Sequence, residues 1–92
     1  MSEEPLSVYM LLAVSLDQFA SVANQKMGLQ VDPITGKLDR DLKQAKIAID
    51  VANRLVEAMD PELDEEDRRQ VQALLSDLRL NFVRQSSTDA NA

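Results

Sequence analysis

The chain has 92 residues, 45% of them apolar and 28% charged, and its sixteen acidic side chains against ten basic ones leave a net charge of −6. That length makes one small domain, and the charge argues against a nucleic-acid or anionic-membrane surface, since both need a basic face. With no cysteine and no histidine, disulfides, thiolate metal sites, the usual general base and the usual zinc ligand are all excluded.

Residues 1–5 read as a short N-terminal arm. Its acids, Glu3 and Glu4, stand where a signal peptide wants basic residues. The apolar run that follows, Leu6 to Val14, is nine residues long, against the roughly 20 that a spanning helix needs. The expectation is a cytoplasmic protein with no membrane span.

A first helix is predicted over 6–27, with Pro5 tolerated at its start and Gly28 placed to end it in the left-handed conformation. At about 100° per residue its core face is Val8, Tyr9, Leu12, Leu16, Phe19, Ala20, Ala23 and Met27. The opposite face is polar in the second half, through Asp17, Gln18, Ser21, Asn24 and Gln25. In the first half that same sector is Met10, Leu11 and Val14, backed by Leu6 and Tyr9. An apolar patch of this kind on a small domain reads as a contact surface, the alternative being that helix two or three, or the flanking arm, folds over it. The expected cover is a second copy of the chain, ahead of another protein, with a membrane surface third because the flanking charges are acidic.

In the connection, Asp32-Pro33 followed by Thr35-Gly36 predicts a type I turn, with Gly36 free to take a positive φ. Asp32 and Thr35 offer too few oxygens for a metal loop. A second helix is predicted over 39–59. Leu38, Leu42, Ala45, Ile49, Ala52, Val56 and Met59 form a seam of period 3.5, and Ala48, Val51, Leu55 and Ala58 form a second stripe beside it. Two adjoining stripes predict a helix with two neighbours, the middle one of three.

Asp60-Pro61 breaks the chain, and Asp64 is placed to cap a third helix over 64–84, with Glu65, Glu66 and Asp67 at its positive end. Asp64 with Arg68 and Glu65 with Arg69 have i,i+4 spacing. Val71, Leu74, Leu75, Leu78 and Phe82 share one narrow face, and Leu80 points away. Asp50 and Arg79, at the edges of their apolar arcs, are expected in solvent. Residues 87–92 carry no apolar periodicity and are expected to be a disordered tail.

Several of these stretches, in this order, resemble a family of short bacterial helical proteins catalogued as a domain of unknown function, family eighteen forty-four. The likeness covers about residues 6 to 84 and rests on Ser15-Leu16, Asp32-Pro33-x-Thr35-Gly36, Ala45-x-x-x-Ile49-Asp50, the acidic start of the third helix, Leu78-Arg79 and Phe82-Val83. The chain departs from that pattern at Ala58-Met59-Asp60-Pro61-Glu62, where a Lys/Thr-Gly-Asn turn would stand. The resemblance implies a helical fold and brings no activity and no catalytic residue.

The residues themselves offer little chemistry. The cluster Glu62, Asp64, Glu65, Glu66 and Asp67 is accounted for by the helix dipole, and a di-metal bundle would bring a Glu-x-x-His motif that is absent. Ser7, Ser15, Ser21 and Ser76 are all in predicted helices, without a base or an oxyanion hole. No catalytic, cofactor-binding or metal residue is therefore expected, and no cofactor. The fold expected is an all-α three-helix domain, a long N-terminal helix on an antiparallel hairpin of helices two and three, completing its core as a homodimer. The function expected is a non-enzymatic interaction module with Leu6, Tyr9, Met10, Leu11 and Val14 as its contact. The alternative is a binder of an apolar small molecule or lipid tail, in a tunnel lined by Leu12, Phe19, Val56 and Phe82.

Overall fold

A computed structural model describes residues 5 and 7–90 of the chain. Three helices follow one another, α1 (Val8–Lys26), α2 (Leu42–Met59) and α3 (Glu65–Ala90), and no strand occurs among the described residues.

Each helix begins at a side-chain cap. Ser7 accepts the Tyr9 N–H at 3.2 Å, so α1 starts at Val8 and Pro5 lies before the cap. It ends at Met27 and Gly28, whose φ of +79° lets the chain reverse while Gly28 and Leu29 donate to the carbonyls of Gln25 and Asn24. The connection turns at Asp32, whose carboxylate accepts the Ile34 N–H at 2.7 Å while its carbonyl accepts the Gly36 N–H at 2.8 Å. This is a wider, Asx-type turn than the type I turn predicted, and Gly36 closes it at φ +70°.

Helix α2 starts at Leu42 rather than at residue 39. Two aspartates compete for the cap: Asp39 is held by the Lys26 ammonium, which leaves Asp41 to accept the Gln44 N–H at 3.1 Å. A 3₁₀ turn at Asp60–Glu62 then leads to Asp64, which accepts the Asp67 N–H at 2.8 Å. Arg68 does not pair with Asp64, as its spacing suggested. It donates to the Asp60 carboxylate at 2.7 Å and to the carbonyls of Asp60 and Leu63, and so clamps the turn. Helix α3 runs past the predicted end at residue 84, and the expected tail is helical as far as Ala90. No Gly or Pro follows Pro61, and an established helix gains one bond for each residue added.

Asp41 donates its backbone N–H to the Lys26 carbonyl at 2.7 Å, bringing the end of α1 beside the start of α2, antiparallel. Helix α3 runs antiparallel along α2 in turn: Arg79 donates to Asn53 Oδ1 at 2.7 Å, and Arg40, just before α2, donates to the Gln85 carbonyl. Arg79 is exposed, as expected, and also bridges α2 and α3, while Asp50, exposed too, pairs with Lys46 on its own helix. Helix α2 is central and touches both neighbours, and α1 packs on α2 and α3.

Among the described residues the buried core is Leu16, Ala20, Ala23 and Met27 from α1, Ala45, Ala48, Ile49, Ala52, Val56 and Met59 from α2, and Leu75 and Leu78 from α3. Alanines on both sides let α1 and α2 approach closely, and the larger side chains each contribute roughly 1.5–3 kcal/mol by burial. Val8, Tyr9 and Phe19, placed in the core from the periodicity, are exposed. The core thins toward the start of α1, where Leu12 is half-buried, and Phe19 sits beyond the edge of the contact with α2. The molecule measures 51 × 29 × 18 Å. Since helix axes pack 8–10 Å apart, its short dimension holds no more than two layers.

Candidate interaction surface

Helix α1 carries the predicted patch at its N-terminal end. Met10, Leu11 and Val14 are 61%, 52% and 49% exposed, and no described part of the chain lies over them. Tyr9 is exposed beside them, and Leu6 lies outside the described residues.

The second apolar stripe of α2 explains what adjoins that patch. The α2 residues turned toward α3 are Lys46, Ile49, Asp50, Asn53 and Val56. At about 100° per residue, Ile47 and Ala48 project to the opposite side. Helix α3 therefore leaves the outer edge of the second stripe open, although Ala48 itself is buried. Ile47 is 62% exposed, Ala58 is exposed, and Val51 and Leu55 are half-buried. Together with Phe19 and Val22 of α1, Ile47 and Ala48 wall an open groove of about 610 Å³, its rim formed by the amides of Gln18 and Gln44. The groove side of α1 continues to Leu11 and Val14, because residues 11, 14, 18 and 22 follow one another at helical spacing.

Sequence reading missed this groove. The periodicity puts Phe19 in the core and Val22 and Ile47 on neither face. The spacing of Ile47, Val51, Leu55 and Ala58 puts Ile47 beside Ala48 on the second stripe, but it does not say which stripe α3 covers. The tunnel expected from Leu12, Phe19, Val56 and Phe82 does not form. Val56 is a core residue, Phe19 lies in the α1–α2 groove, and Phe82 lines a separate hollow of about 310 Å³ between α2 and α3 with Lys46, Asp50 and Arg79.

Charge is concentrated away from the groove, whose lining has no ionisable side chain. Two cations are held above their ordinary pKa values. Lys26 is raised by its hydrogen bond to Asp39, partly opposed by burial and aided by the charges of Asp39, Asp41 and Asp32. Arg68 is raised by its hydrogen bond to Asp60 and by that carboxylate's charge. Both pairs secure connections. Among the described residues no three Asp or Glu side chains stand close enough to hold a metal ion, and no helix is long and apolar enough to cross a membrane. Where a partner is seen, the serines serve local structure: Ser7 caps α1 and Ser21 accepts from the Gln25 amide at 3.3 Å.

The family described as Domain of unknown function (DUF1844) matches residues 9–84. No curated protein and no solved structure matches the chain.

Proposed function

The chain belongs to the DUF1844 family, whose description names no activity, and on that footing we propose that it is a non-enzymatic protein-interaction module that self-associates as a homodimer through the N-terminal half of α1. The observation that supports this reading is the exposure of Met10, Leu11 and Val14 on a helix where no described part of the chain covers them. Contiguous apolar surface on a small domain costs solvation and invites association. Two-fold pairing is the commonest way for a soluble chain to cover it. A bacterial, cytoplasmic setting belongs to the same proposal, on the family resemblance and the cysteine-free composition. So does the absence of a nucleic-acid partner, on the net charge of −6.

The test is sedimentation velocity at micromolar concentration. The parent chain is expected to sediment as a dimer. Val14→Glu, at an exposed position, is expected to shift it toward monomer with unchanged helicity. A parent that is monomeric throughout, or a Val14→Glu chain that assembles as tightly as the parent, overturns the proposal.

A second reading is favoured by the size of the groove, which falls within the range of about 300–1,000 Å³ typical of small-molecule sites. In this reading an apolar molecule or lipid tail lies along Phe19, Val22 and Ile47. A monomer whose melting temperature rises by several degrees with a long-chain fatty alcohol would favour it over the first.

A further inference from the structure

We infer that the second copy docks on the whole α1–α2 face, with Phe19, Val22 and Ile47 at its centre, so that two α1–α2 pairs share one four-helix core and α3 lies outside it. This inference rests on the self-association proposed above and identifies the surface that carries it.

Placement is the first argument. The groove lies on the side of α2 away from α3, and it is continuous along α1 with Leu11 and Val14. A copy seated on the first turns of α1 alone would leave Ile47, 62% exposed, and the adjoining second stripe of α2 in water. One seated on the full face covers both.

Area is the second argument. A compact chain of 10.3 kDa exposes about 5,400 Å², whereas this one exposes 6677 Å². The excess of about 1,300 Å² exceeds the about 800 Å² that each partner buries in a standard interface. Shape agrees. The radius of gyration is 14.9 Å, against about 12 Å for a compact domain of this length, and doubling an 18 Å slab across its open face gives a rounder body.

Charge favours this face for a second copy. Each chain carries a net charge of −6, so two copies repel over most of their surfaces. The groove lining is Gln18, Phe19, Val22, Gln44, Ile47 and Ala48, with no ionisable group among them. Self-contact therefore costs least there. A glutamine side chain both donates and accepts, so the amide rim can pair with a rotated copy of itself. Phe19 is at once a wall of the groove and an exposed aromatic able to fill its partner's, the kind of anchor that dominates interface energies.

The experiment compares Ile47→Glu, Val14→Glu and Leu80→Glu by sedimentation equilibrium, with circular dichroism to follow helicity. Ile47→Glu is expected to weaken dimerisation by about 30-fold or more, and Leu80→Glu, on the outer side of α3, to leave it unchanged. A dimer that survives Ile47→Glu but is lost in Val14→Glu overturns this inference and leaves the proposed function standing. A parent chain that never dimerises overturns both. Should Ile47→Glu lose helicity, the parent's lack of cysteine provides a second measurement: the alkylation rate of Ile47→Cys is expected to fall as protein concentration rises through the dimerisation range. A rate independent of concentration overturns the inference.

Discussion

Arg40 reaches from the α1–α2 connection to the backbone carbonyl of Gln85, and the 2.7 Å bond fastens the far end of α3 to the start of α2. Beyond Gln85 the helix continues to Ala90. In Arg40→Ala the α1–α2 pair should keep its packing while the last turns of α3 fray. Amide exchange measured by mass spectrometry should accelerate in peptides covering 83–90 and stay unchanged in those covering 16–27. Uniform acceleration along the chain would mean that Arg40 supports the global fold.

The α1–α2 contact should be the most sensitive to side-chain volume. Leu16 is 3% exposed in the core, so Leu16→Ala leaves a void, at a cost of about 2–5 kcal/mol. Ala52 is fully buried. Ala52→Leu forces the helices apart and should cost about 1–3 kcal/mol by overpacking. Ile34→Ala, at a side chain 92% exposed in the connection, should stay within about 0.5 kcal/mol of the parent. Urea titration of the three variants measures all of this, and equal effects at Leu16 and Ile34 would contradict the assigned core.

Much of this architecture was legible in the residues, for local reasons. Gly28 and Gly36 sit where the backbone needs positive φ, and Asp64 caps α3 because its neighbours offer no better acceptor. What could not be read depended on competition between distant groups. Asp39 and Asp41 are equivalent as caps until Lys26 takes Asp39. Arg68 has Asp64 at ideal spacing, yet Asp64 is committed to the Asp67 N–H and Asp60 is presented by the turn. The same limit applies to the candidate surface. Met10, Leu11 and Val14 were identifiable because their sector is polar further along α1. Phe19 and Ile47 were not, since only the placement of α3 decides which stripe of α2 is left open.

The ion pair between Lys26 and Asp39 gives the α1–α2 connection a pH dependence of known sign. Asp39 holds the Lys26 pKa above its unfolded value. The stabilisation is therefore complete below the unfolded lysine pKa of about 10.4 and is lost as pH rises through the higher folded value. Asp39→Asn should be less stable than the parent at pH 8, and the gap should close in alkaline solution once Lys26 is neutral in both states. High salt should narrow it too, because the Asp39 side chain is half exposed. A gap that persists unchanged well above the lysine range would assign the loss to Asp39 as a structural residue rather than to the pair.

Thermal unfolding should depend on protein concentration. The described core of a single chain is twelve side chains, and five of them, Ala20, Ala23, Ala45, Ala48 and Ala52, are alanines that bury little area. Such a core leaves the isolated chain marginal. If the α1–α2 faces of two copies complete it, folding and pairing are linked by mass action, and each tenfold rise in concentration should raise Tm by about 3–5 °C for a dimer of this size. Ile47→Glu should melt lower and lose the concentration dependence, because its monomer has only its own core to unfold. Leu16→Ala should also melt lower but keep the dependence, since its damage lies inside the protomer and its outer face is intact. The slope of Tm against the logarithm of concentration thus separates residues that hold one chain together from those that join two. A parent Tm that stays level over a hundredfold range would mean that alanine-lined contacts suffice and that the α1–α2 face stays wet.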